Sequence, residues 1–192
     1  MNRVLAALLA GGAGLAVLCQ TACLHSPNTR LYTLEPIAPS ASAGVSGVRL
    51  QLRGTHVPPQ FDRLEITATP RRGPLHTYAF AQWAAPLPEL VQATLATDLA
   101  RRLPAGRLVN SAAPTPADAA ILSFDILSLE VDRGGAQAEV NWTLSRPGQA
   151  AVSRQASLVA PAQGRGPEAD ARAISRLLAL AADHIVQSLP AA

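Results

Sequence analysis

The stretch from Ala119 to Leu158 most limits what this chain can become. Two runs of alternating apolar and polar residues are joined by Arg133-Gly134-Gly135, and a third follows Pro147-Gly148. Alternation with a period of two marks a half-buried strand, and Gly-Gly and Pro-Gly mark tight turns. The reading is an antiparallel meander of three strands. One irregularity interrupts it. Leu122, Phe124 and Ile126 share one phase, whereas Leu127, Leu129 and Val131 share the other. A bulge near Ile126-Leu127 keeps one face on the core.

A sheet with one apolar face needs cover, and two segments supply it. Leu87, Leu90, Val91, Thr94, Leu95, Leu99 and Leu103 recur at helical spacing, with Pro86 and Pro88 at the start and Pro104 and Gly106 past the end. Glu89 suits the positive end of that helix, and Arg101-Arg102, read as its C-terminal turn, suit the negative end. A second helix opens near Gly166-Pro167 and carries Ile174, Leu177, Leu178, Ala181, Ile185 and Leu189 on one stripe, with Pro190 at its end.

Four further strands precede the first helix: Leu31–Glu35, Val48–Arg53, Leu64–Ala68 and Leu75–Phe80. The stretches Pro36–Gly47, Val57–Arg63 and Pro70–Pro74 between them are loops rich in proline and small residues. Leu108-Val109 is a short strand. The expected fold is one α/β domain of α+β-like character over residues 31–192, with a mixed or mostly antiparallel sheet and two main helices.

The N-terminus is of another kind. Arg3 precedes an apolar run, Val4–Leu18, which is shorter than the roughly twenty residues of a membrane span. It has the proportions of an export signal, residues 1–22, and stands apart from the fold. Thr21-Ala22-Cys23 matches the last three positions of a bacterial lipoprotein cleavage motif; Gln20 departs from the first. Cys23 is the expected lipid attachment, with residues 23–30 as its tether. A plain secreted chain with a free thiol and an uncleaved anchor are the alternatives. Cutting before Cys23 removes Cys19 and leaves one cysteine, so no internal disulfide can form.

Composition narrows the chemistry. All 16 basic residues are arginine, they exceed the 13 acids only slightly, and they are scattered. A nucleic-acid footprint needs a basic stripe, and Arg71-Arg72 and Arg101-Arg102 are only pairs. His25, His56, His76 and His184 lie far apart, and no metal-binding, phosphate-cradling or nucleophile-elbow motif is found. No catalytic, cofactor or metal residue is assigned. Asp125 and Glu130 read as the solvent face of a strand, and Trp142 as core. Trp83, just before the first helix, is either a cap on the core or an interface anchor.

In order, Cys23, Leu31-Tyr32-Thr33-Leu34, Val48-Arg49-Leu50, Val57-Pro58-Pro59-Gln60-Phe61-Asp62-Arg63-Leu64-Glu65-Ile66, Trp83-Ala84-Ala85-Pro86-Leu87 and Leu99-Ala100-Arg101-Arg102-Leu103 resemble the PqiC-like ABC-type transport auxiliary lipoproteins. The resemblance spans nearly the whole chain after Cys23. It implies a fold like the N-terminal domain of TolB and a non-enzymatic subunit without cofactor. Its implied partners are an MCE-type substrate-binding protein and ABC or integral membrane transport components, which together move lipids between membranes and maintain the envelope. Leu24 after the cysteine implies the periplasmic face of the outer membrane, with the inner membrane or the soluble periplasm as alternatives. A homo-oligomeric ring is a further implication. Asp62, Arg63 and Trp83 are the expected partner surface. The competing reading is an envelope lipoprotein that acts as an assembly or scaffolding factor.

Overall fold

The structure is a computed structural model that describes residues 28–39, 47–70 and 73–189. Cys23, the expected signal segment, Arg71-Arg72 and Pro190 lie outside the described residues. The elements are β1 (Arg30–Tyr32), β2 (Arg49–His56), β3 (Glu65–Ala68), β4 (His76–Trp83), α1 (Leu87–Arg102), β5 (Leu108–Val109), β6 (Ala119–Asp132), β7 (Gly135–Ser145), β8 (Val152–Pro161) and α2 (Pro167–Gln187). A single 3-10 turn, Pro59–Phe61, interrupts the loop after β2.

The meander forms as expected. β6 pairs antiparallel with β7, and β7 with β8, placing Phe124 opposite Trp142 and Val140 opposite Ala156. The register shifts between Ile126 and Ser128. Leu127 is the extra residue and turns out to solvent, while Ile126, Leu129 and Val131 stay buried. The β6–β7 turn depends on Gly135, whose φ is +134°. A side chain there would meet the carbonyl oxygen of Ala160 at 2.1 Å. Asp132 Oδ1 accepts the Gly134 N–H at 2.7 Å and closes the turn.

The fold is mixed α+β, but the strands divide into two sheets where the sequence reading has one. The larger runs β5-β2-β6-β7-β8 and the smaller β1-β4-β3. In the larger sheet β2 lies parallel to both β5 and β6. A lone bridge joins Thr69 to Val131 between the sheets. Pro70 follows at once, and a proline has no N–H to continue a ladder, so the two sheets do not merge there.

Both helices pack on the same face of the larger sheet, that of Leu50, Leu52, Leu122, Phe124, Val140, Trp142 and Leu158. α1 presents Leu87, Val91, Leu95 and Leu99 at four-residue spacing, and α2 presents Ile174, Leu177, Leu178, Ala181 and Ile185. Gly166, with φ +88°, turns the chain into α2, and Pro167 occupies its first position, where no N–H is needed. Trp142 Nε1 donates to Ser188 Oγ at 3.1 Å, tying the sheet to the last turn of α2.

Gln51 lies on the face of β2 opposite Leu50 and Leu52. It is fully buried under the loop after β5. Its amide donates to the carbonyls of Asn110 and Ala113, and its oxygen accepts from Thr115 and Arg53. All its polar capacity is used locally, which makes the burial tolerable.

Candidate functional site

The chain that follows β1 is locked onto the body. Leu34 is buried in the core, and the next three residues are held by side chains of both helices. The Glu35 N–H donates to Ser175 Oγ at 3.0 Å, and Arg101 donates to the Pro36 carbonyl at 2.8 Å. Ile37 is held at both ends: its N–H donates to Asp98 Oδ1 at 2.8 Å, and Arg102 Nη1 donates to its carbonyl at 3.1 Å. Arg102 Nε also donates to Asp183 Oδ1 at 2.6 Å, so α1, α2 and the N-terminal segment meet on one guanidinium.

Asp98 and Arg102 are four residues apart on α1, with an ion-pair distance of 3.5 Å, and both side chains are removed from solvent. Both arginines lie in the last turn of α1 as expected; Arg102 is buried there and Arg101 stays exposed. Burial lifts the Asp98 carboxyl above its ordinary value, against the pull of the Ile37 N–H and of Arg102. Its Oδ2 has no hydrogen-bond partner. The four-residue spacing of Asp98 and Arg102 was the signal available in the sequence; nothing there linked them to Ile37 or Asp183.

Asp62 and Arg63 are exposed just after the 3-10 turn, at the end of the small sheet where β4 finishes. Trp83 is not with them on the surface. It is 4% exposed and belongs to the core with Ala81, Leu34 and Phe61. The reading of Trp83 as a partner contact is thus corrected. Strand alternation points it inward, and its backbone N–H is taken by the Leu64 carbonyl. Asp125, on the open face of the larger sheet, accepts from Nδ1 of His56 at 2.8 Å, its neighbour in register on β2.

A cleft of about 670 Å³ opens where the small sheet, the β6–β7 turn and the start of α2 converge. Ala68, Val131, His76, Tyr78 and Asp170 form its wall, and Asp132, Arg133 and Arg165 carry charges of both signs at its rim. Tyr78 donates to Asp170 Oδ2 at 2.9 Å, and the His76 ring meets the Tyr78 ring edge-on at 4.9 Å. Burial, then the bond to Asp170, pushes the Tyr78 hydroxyl up to about 12, so it stays protonated as a donor. Burial also lifts Asp170, although the Tyr78 bond acts the other way. The two residues are 92 apart in sequence, and no local pattern marked them. The cleft can seat a small polar or amphipathic group. Among the described residues no cluster of three side chains suits a metal ion.

A family model for the ABC-type transport auxiliary lipoprotein component matches residues 32–186. Two solved structures are similar in fold. One, of an uncharacterized protein, is 18% identical with a TM-score of 0.69 and covers 85% of this chain and 100% of its own. The other, a Xanthomonas campestris protein of the DUF330 family, is 18% identical with a TM-score of 0.64 and covers 82% and 93%. Comparison with curated proteins gives no match. No helix among the described residues is long and apolar enough to cross a membrane. The match over 32–186 takes in every element but the first two residues of β1 and the last of α2, and the chain belongs to the family of ABC-type transport auxiliary lipoprotein components.

Proposed function

We propose that this chain is a non-enzymatic auxiliary subunit of an MCE/ABC-type system that moves lipid between membranes. Lipid on Cys23 holds it to the periplasmic face of the outer membrane, and it acts by docking. The family match over residues 32–186 carries this reading. The clamp on Leu34–Ile37 supports it, because it couples a tether rigidly to the whole domain. The exposed Asp62-Arg63 turn is the contact for the elongated MCE-type partner.

Two measurements test the proposal. Mass spectrometry of the mature N-terminus is expected to find Cys23 acylated; an unmodified Cys23 peptide as the main species sinks the anchor. Co-purification from native membranes is expected to bring down an MCE-type protein, and Asp62→Ala with Arg63→Ala to weaken it while leaving stability within about 0.5 kcal/mol. Retrieval of envelope assembly factors in place of transport components supports a scaffolding role instead.

A further inference from the structure

We propose that the outer face and free edge of the small sheet rest on the leaflet that holds the anchor. Leu31, Leu75 and Phe80 are 67%, 60% and 49% exposed. β1 pairs only with Ala81–Trp83, so β4 from His76 to Phe80 has no strand beside it on that side among the described residues. Ala81 and Trp83 point into the core, which puts Phe80 and Gln82 on the opposite face; the register of β4 on β3 slips between Thr77 and Gln82, and Tyr78 before the slip turns to Asp170 instead. Leu31 stands beside Gln82 in register and shares that face with Phe80. Leu75 lies one residue before β4, at the start of its open edge.

The bilayer is the occupant that the tether selects. Seven residues, Leu24 to Arg30, separate Cys23 from Leu31. Fully extended they reach at most about 25 Å, at roughly 3.5 Å each. The chain beyond β1 is fixed to both helices, so the tether enters the body beside this face. Three large apolar side chains held that close to a membrane meet the boundary of headgroups and acyl chains, where Phe and Leu insert in part. Arg30 is exposed at the start of β1, in reach of lipid phosphates. The Asp62-Arg63 turn lies at the same end of β4 as Leu31, but across that strand, on the β3 side.

The inference rests on the anchored reading, and its test removes the dependence on cellular processing. A chain starting at Cys23 has one thiol, which couples to maleimide lipid in phosphatidylethanolamine/phosphatidylglycerol vesicles. With Phe80→Trp, brominated acyl chains are expected to quench fluorescence about twofold more than in the wild type, whose Trp83 and Trp142 are buried. Adding Leu31→Ser and Leu75→Ser is expected to abolish the excess; circular dichroism checks that this variant folds. Quenching equal to the wild type overturns the proposal, as does an excess that survives both serines in a folded protein. Unmodified Cys23 in the native protein overturns the anchoring instead, whatever the vesicles show.

Discussion

Asp170 is a carboxyl in a place that suits it only in part. Tyr78 supplies one hydrogen bond, but burial dominates and lifts its affinity for a proton above the ordinary 3.8. The native state therefore holds the proton more tightly than the unfolded chain does. The contribution of Asp170 to stability is fully present below the unfolded value and is lost as pH rises through the folded one. Asp170→Asn keeps an acceptor for Tyr78 and removes the charge. The variant is expected to lose less stability than the wild type on going from pH 4 to pH 7, read by urea denaturation at each pH. Parallel curves for the two proteins contradict this account. Asp98 is lifted in the same direction and for the same first cause, so the difference between the proteins, not the wild-type curve, isolates Asp170. Neither aspartate stood out in the sequence. An aspartate on an amphipathic helix looks alike whether it faces water or a tyrosine brought in from a distant strand.

The β6–β7 hairpin shows how far a periodicity carries. Alternation, the phase flip at Ile126-Leu127 and Arg133-Gly134-Gly135 located both strands, the bulge and the turn. They could not say which glycine is indispensable. Gly135 has a positive φ, and β8 passes so close that a methyl group there collides with the Ala160 carbonyl. Gly135→Ala is expected to cost more than about 1 kcal/mol, combining backbone strain with the clash. Gly134→Ala meets only the flexible end of Asp132 at 3.1 Å and is expected to cost less. Thermal unfolding of the two variants side by side checks the order. β2 gives the opposite lesson. Its alternation reads as a strand with a wet face, but the loop after β5 folds over Gln51 and buries that one side chain, while Arg53 stays exposed. A strand's own residues do not record what lies across from them.

Taken whole, the molecule is held by contacts between segments far apart in sequence, and Arg102 is the clearest of them. It joins α1, α2 and the segment after β1. Arg102→Ala strands Asp98 in the core and frees the Ile37 carbonyl, at an expected cost of about 3 kcal/mol. It is also expected to raise hydrogen exchange at the Ile37 amide ahead of the β6–β7 ladder. Equal acceleration at both sites indicates general loosening and no specific clamp. The sequence alone determined the strands and helices, the meander with its bulge, the helices' apolar stripes and the family, because each is written in local spacing or residue order. Tertiary structure alone decided that the strands form two sheets, that Trp83 is core and that Arg102 and Gln51 are buried. It also brought Tyr78 to Asp170. The reason is physical: burial and partnership belong to pairs of segments, and a chain's local pattern states what a side chain can do but not what it will meet.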